Sequence, residues 1–211
     1  MINIAVIDYD CGNMYSIIRA LDRFNVNTTI THDIDTILSA DSLILPGVGS
    51  YAEGMRKLNE RNLIKPVIEF AQNGKPLLGI CLGMQLLVDS SEEFGFHEGL
   101  GLISGKTILL RPKIKEKIPH VGWNSIYRTD FQPENAWENT VLNNIDKENE
   151  FYFVHSYAVF TSKPEDCLAI TKYGDIEFAS VIRKNNVFGC QFHPEKSRKI
   201  GIDIIKNFLN I

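Results

Sequence analysis

One stretch constrains this chain more than any other: Lys75-Pro76-Leu77-Leu78-Gly79-Ile80-Cys81-Leu82-Gly83-Met84-Gln85. An apolar run leads straight into Gly-x-Cys-x-Gly, and helix-forming residues continue as far as Val88. A strand that turns this sharply into a helix needs small residues on both sides of the central side chain. That side chain is then thrust out at the carboxyl end of the strand. Cys81 also falls at a helix N-terminus, whose partial positive charge favours a thiolate. Such elbows belong to parallel α/β sheets, where strand ends line up along one edge. Most free cysteines are merely small buried hydrophobes. Cys11, Cys167 and Cys190 sit in no comparable setting, so Cys81 alone reads as a nucleophile.

The rest of the chain fits that architecture. Apolar and β-branched runs predict strands over residues 2–8, 27–31, 43–45 and 76–80. Helical spacing of apolar residues falls between them, over 17–24, 52–59, 64–72 and 81–88. Strands alternating with helices imply right-handed crossovers and a parallel sheet. The second half carries short β-like runs at 106–110, 118–122, 151–157, 168–172, 178–182 and 187–192, and an amphipathic helix at 200–209. The expected fold is α/β, a single domain over 1–211, with a mixed, mostly parallel central sheet flanked by helices and an antiparallel extension. Residues 128–150 are polar and irregular and predict a surface excursion. Lys113, Lys115 and Lys117 alternate with Ile114, Glu116 and Ile118, as in a solvated edge strand or a patch that docks an acidic partner.

Composition excludes several classes. The 211 residues carry a net charge of −4, with no basic field to hold nucleic acid or an anionic membrane. No apolar run approaches the roughly 20 residues that span a bilayer. The opening run Ile2–Ile7 lacks a basic leader, and the four cysteines lack close metal-type spacing. Reduced thiols, no metal, no cofactor and a cytoplasmic location are expected.

A thiolate enzyme needs a base that can return a proton to the leaving group. His193 comes just after an apolar strand in Phe192-His193-Pro194-Glu195. Pro194 keeps the segment extended, so positions 193 and 195 share a face, and Glu195 can orient the imidazole. His155, in Phe151-Tyr152-Phe153-Val154-His155-Ser156-Tyr157, is the competitor; lacking a carboxylate two residues on, it reads as lining for a substrate site or as core. His32, His97 and His120 read as loop residues without chemistry. Pro46-Gly47-Val48-Gly49 comes after a strand and opens a helix. Its glycines suit an oxyanion hole, with donors at Val48 or Gly49 and at Leu82. A loop of this kind could flip a peptide and withhold its donor until a partner is ready. The same stretch fits the Gly-x-Gly-x-x-Ala dinucleotide fingerprint, which keeps a nicotinamide- or flavin-binding oxidoreductase open as a rival. A non-catalytic assembly subunit is a second.

Together these segments carry a resemblance. Ile7-Asp8-Tyr9 with Gly12-Asn13, Leu45-Pro46-Gly47-Val48-Gly49, Gly79 to Leu87, Pro119 to Asn124, Phe151 to Tyr157 and Gln191 to Ser197 are similar to motifs of class I glutamine amidotransferases. The likeness is greatest to the branch that supplies ammonia for imidazole glycerol phosphate synthesis in the histidine pathway. It implies a Cys81–His193–Glu195 triad that hydrolyses glutamine. It implies substrate contacts from Gln85, Glu93, His155, Ser156 and Tyr157. It also implies a (β/α)8-barrel cyclase subunit bound over the glutaminase mouth as a heterodimer, receiving the ammonia, with Asn13 and Trp123 at the interface. Trp123 also suits an ordinary core. Asp10-Cys11 stands where the family often has a glycine, which leaves open a paralogous barrel that builds amidino groups on surface sugars.

Overall fold

The computed structural model describes residues 1–113, 116–146 and 149–211. Strands β1 (Ile2–Ile7), β2 (Val26–Thr31), β3 (Ser42–Leu45) and β4 (Leu77–Ile80) lie parallel in the order β2-β1-β3-β4. The run 187–192 becomes β13 (Val187–Cys190) and docks parallel beside β4. Beyond it the sheet turns antiparallel through β12 (Ile176–Lys184), β10 (Tyr157–Thr161) and β7 (Ile103–Leu109). It then closes with β5 (Val88–Ser91), parallel to β7, and β6 (His97–Glu98); β11 (Cys167–Tyr173) pairs with β12 off this path. A mainly parallel centre with an antiparallel extension is therefore the architecture, as the alternating pattern predicts.

Period-two alternation along β1 explains why both faces are covered. Ile4 and Val6 point into one core with Ile17 and Leu21 of helix α1 (Met14–Leu21) and with Ile204 and Phe208 of helix α6 (Arg198–Phe208). Ala5 and Ile7 point into the other core. There they meet Ile37 of α2 (Ile34–Ser39), Leu58 of α3 (Tyr51–Glu60), Phe70 of α4 (Ile64–Gln72) and Leu82 of α5 (Leu82–Leu86).

Several details depart from the sequence reading. Helix α2 occupies a stretch where no helix is predicted; Asp33 caps it by accepting the Thr36 N–H at 2.8 Å. The helix after Cys81 ends at Leu86, and the next strand begins at Val88. The run 151–157 is not one strand. It breaks at Ser156 into β9 (Glu150–His155), which pairs with β8 (His120–Ser125) in a separate two-stranded sheet, and β10 in the main sheet. Lys113 and Lys117 lie outside any strand, and Ile114 and Lys115 lie outside the described residues. Between Arg128 and Asn149 the described backbone is a series of turns. Among the described residues no helix is long and apolar enough to cross a membrane.

Candidate active site

The register of β4 against β13 brings two distant segments together. Cys190 pairs with Ile80, and the Cys81 N–H donates to the Cys190 carbonyl at 2.8 Å. The residues just past each strand, Cys81 on one and Gln191 to Glu195 on the other, therefore emerge side by side at the carboxyl edge.

Cys81 adopts φ 54° and ψ −109°, a conformation that costs a non-glycine residue about 1–3 kcal/mol and persists only where its surroundings impose it. The surroundings here are glycines. A Cβ on Gly83 would lie 1.9 Å from the Leu45 carbonyl oxygen, and one on Gly79 would lie 2.7 Å from the Gly83 oxygen. Helix α5 thus sits on β3 and β4 more closely than any side chain would permit. Leu82 is its first residue, so the Leu82 N–H has no acceptor within the helix.

His193 is buried, with its Nδ1 2.8 Å from Glu195 Oε1. The expected extended segment is instead a 3₁₀ turn over Pro194–Lys196, which folds Glu195 back beneath the ring. Ser197 staples this turn: its Oγ donates to the His193 carbonyl at 2.7 Å and accepts the Tyr152 N–H at 3.0 Å. Burial opposes a charge on His193, but the Cys81 side chain and the Glu195 carboxylate outweigh it and raise the pKa to about 9. Its Nε2 is buried without a conventional partner, on the side where the Cys81 sulfur acts.

A cavity of about 290 Å³ opens beside the sulfur. Cys81, Leu82, Gln85, His193, Val48, Gly49, Glu93, His155, Ser156 and Tyr157 all line it, so the residues expected from distant segments converge. Two larger clefts, about 620 and 630 Å³, flank the 127–146 stretch and hold neither Cys81 nor any histidine. Chemistry rather than size singles out the smaller cavity.

Two features bear on the glycine loop. The Val48 N–H donates to the Cys11 carbonyl at 3.1 Å, so that donor is not free to face the cavity. The N-terminus of α3 already carries a carboxylate, since Glu93 Oε2 accepts the Tyr51 N–H at 2.5 Å. A dinucleotide pyrophosphate would need that same helix end, which removes the physical basis of the oxidoreductase reading.

His155 belongs to the cavity wall, and His120 is buried in β8 rather than in a loop. His155 Nδ1 lies 2.8 Å from the Tyr157 carbonyl and so must carry the hydrogen; its Nε2 then accepts from His120 Nδ1 at 3.0 Å. Burial, against the Tyr157 bond, lowers His155 to about 3, and burial lowers His120 to about 4. Both rings are neutral where His193 is charged. Asn13 is exposed at the N-cap of α1. Trp123 is 36% exposed, with the Arg198 guanidinium 4.2 Å above its ring, so it belongs to the surface and not to the core.

The family model for class-I glutamine amidotransferase matches residues 5–211. The chain belongs to the class I glutamine amidotransferases. Among the relatives of this amidotransferase is imidazole glycerol phosphate synthase subunit HisH 1 of Legionella pneumophila (strain Lens), 43% identical over the whole of both chains. HisH of Prochlorococcus marinus (strain NATL2A) is 43% identical over 100% of this chain and 97% of its own. HisH of Geobacillus sp. (strain WCH70) is 44% identical over 99% and 96%. Among solved structures, PurLQS from Thermotoga maritima superposes with a TM-score of 0.71 at 19% identity, over 99% of this chain and 98% of its own, a likeness of fold.

Sequence reasoning gave no role to three buried residues that brace the cavity from behind. Gln191 and His120 stand within the family motifs, but no spacing rule singles out a buried amide or a neutral histidine. Tyr9 is fully buried and donates its hydroxyl to the Pro46 carbonyl at 2.5 Å, tying β1 to the glycine loop.

Proposed function

We propose that this chain is the glutaminase subunit of an imidazole glycerol phosphate synthase, cutting glutamine with Cys81, His193 and Glu195. The observation that carries the reading is the strained Cys81 elbow beside an imidazole whose pKa is raised to about 9 by that cysteine and by Glu195. A protonated His193 next to a thiolate is the resting pair such chemistry needs. The thiolate attacks the side-chain amide carbon of glutamine. The Leu82 N–H receives one side of the oxyanion, and the Val48 N–H, once the Gly47–Val48 peptide turns away from the Cys11 carbonyl, supplies a second donor. His193 gives its proton to the departing ammonia, leaving a thioester, and then activates the water that releases glutamate. No cofactor or metal enters these steps.

Glu93, with one oxygen engaged at Tyr51, offers the other to the substrate ammonium. Gln85 gives its Nε2 to the Tyr157 carbonyl at 2.8 Å and to Gln191 Oε1 at 3.0 Å, which leaves its oxygen for a substrate donor. His155, Ser156 and Tyr157 complete the wall. The relatives named as synthase subunits support a second subunit as partner; in this reading it is a (β/α)8-barrel cyclase that contacts Asn13 and Trp123, and the pair works in the cytoplasm.

Reconstitution tests this. The chain is mixed with the histidine-pathway barrel, and glutamate release is measured with and without the barrel's ribonucleotide. Stimulation is expected, and Cys81→Ala abolishes it. Full activity in Cys81→Ser would refute the triad. Stimulation only by the sugar-modifying barrel would move the chain to that pathway, the outcome that the Asp10-Cys11 departure keeps in view.

A further inference from the structure

The proposed triad leaves unused a buried primary amide beside the nucleophile. Gln191 comes directly after β13 with none of its surface exposed, between Cys190 and Phe192. Its backbone N–H is already taken by the Ser180 carbonyl at 2.9 Å. A leucine or methionine would fill the position without desolvating an amide, so packing alone does not account for the residue.

The orientation of this amide is fixed by its neighbours. The Tyr157 carbonyl can only accept, so Gln85 must turn its nitrogen toward it. That same nitrogen faces Gln191, which must therefore present its oxygen. Gln191 Nε2 is then forced to the opposite side, where it donates to the Cys81 sulfur at 3.9 Å. The sulfur has a backbone acceptor as well, the Val154 carbonyl at 4.0 Å. That oxygen suits a thiol but repels a thiolate, and a second donor besides His193 would offset the repulsion.

Building on the triad proposed above, we infer that Gln191 is a positioning residue for the nucleophile. Its N–H, aimed by Gln85 and the Tyr157 carbonyl, holds the Cys81 thiolate in place for attack. Gln191→Leu removes the donor and keeps the bulk. Gln191→Glu keeps the oxygen that receives Gln85 and replaces the donor with a negative charge. The two variants should therefore differ in degree, which a role in filling space would not predict.

The test uses the full chain bound to its barrel partner. Iodoacetamide alkylation of Cys81 is tracked by peptide mass from pH 5 to 9, with thermal melts to confirm folding. Loss of one hydrogen bond to a charged group should move the acid limb of Cys81 alkylation upward by about one pH unit in Gln191→Leu, and further in Gln191→Glu. Glutamine kcat should fall about tenfold with a smaller change in KM, because the Tyr157 carbonyl still holds Gln85. If Gln191→Leu does not fold, the isosteric Gln191→Glu alone decides. An acid limb unmoved in a folded variant, with Cys81 still the fastest thiol, overturns the role of Gln191 and leaves the triad standing. Wild-type Cys81 reacting no faster than Cys11, Cys167 and Cys190 would overturn the triad and this inference together.

Discussion

Three buried imidazoles share one site yet hold different charges, and the cause is what each ring faces. His193 meets a sulfur and a carboxylate; His155 and His120 meet each other, a carbonyl and an amide. The consequence for stability has opposite signs. An unfolded histidine titrates near 6.5. His193, raised to about 9, contributes its stabilisation fully below about 6.5 and loses it as pH climbs toward 9. His155 and His120, lowered to about 3 and about 4, contribute fully above about 6.5 and lose it as pH falls. Among these three groups the balance is best near neutrality. In His120→Phe the new ring keeps the stacking on Phe153 and the tilted contact with Tyr173, whose centroids lie 4.9 and 4.1 Å away. Its melting temperature should fall less steeply from pH 6.5 to 4 than that of the wild type. At pH 7 it should be lower, because His155 Nε2 loses its donor, at a cost of about 1–3 kcal/mol. Thermal unfolding across this range measures both effects, and equal acid slopes would assign His120 no part. Glu195→Gln should lower glutamine turnover on the order of 10²- to 10⁴-fold, since the ring loses the carboxylate that orients it and holds its charge. Steady-state kinetics with the partner present would check this.

At the scale of elements, the elbow depends on how closely α5 lies against β3. Gly83→Ala puts a Cβ on the backbone oxygen of Leu45, which no rotamer can relieve. Helix α5 must lift, at a cost of about 1–3 kcal/mol or more, and Cys81 moves with it. The melting temperature should drop by roughly 4–10 °C, and fast alkylation of Cys81 should disappear even in the folded fraction. Retained alkylation would mean that the tight seat of α5 does not set the geometry of the nucleophile. Those same glycines made the site readable in the sequence. Small residues around Cys81 and the His193-Pro194-Glu195 triplet are local demands of local geometry. The elements left unread depend on distant contacts. Residues 151–157 look like a single strand because their apolar pattern is continuous, but the chain changes sheets at Ser156 to satisfy β8 on one side and β7 on the other. Helix α2 has six residues and gains its place from the cap at Asp33 and from packing against α4, neither of which a periodicity scan detects. Trp123 needs its setting too, since only the fold shows that Arg198 rather than the core covers it.

Across the whole molecule, the face that carries Asn13 is mechanically tied to the catalytic edge. The turn before Asn13 holds Asp10 at φ 60° and Cys11, whose carbonyl occupies the Val48 N–H. Helix α3 and Arg61, the residue that ends it, clamp that turn. Arg61 bonds Asp10 Oδ2 at 2.6 Å and the Asp8 carbonyl at 3.3 Å, and Lys57 reaches the Asp10 carbonyl at 3.1 Å. A partner pressing on Asn13 would act two residues from the carbonyl that withholds the donor. The isolated chain should then hydrolyse glutamine slowly, because one oxyanion donor contributes about 10²- to 10³-fold to the rate. Loosening the clamp should recover part of that without the partner. Arg61→Gln gives up the ion pair with Asp10, which is partly solvent-exposed and adds little to global stability, so the fold should survive. Glutamate release by the isolated variant should rise severalfold above the isolated wild type, while the rate of the complex changes little. If the isolated rate stays flat as the turn loosens, the Cys11–Val48 bond is not what restrains the enzyme.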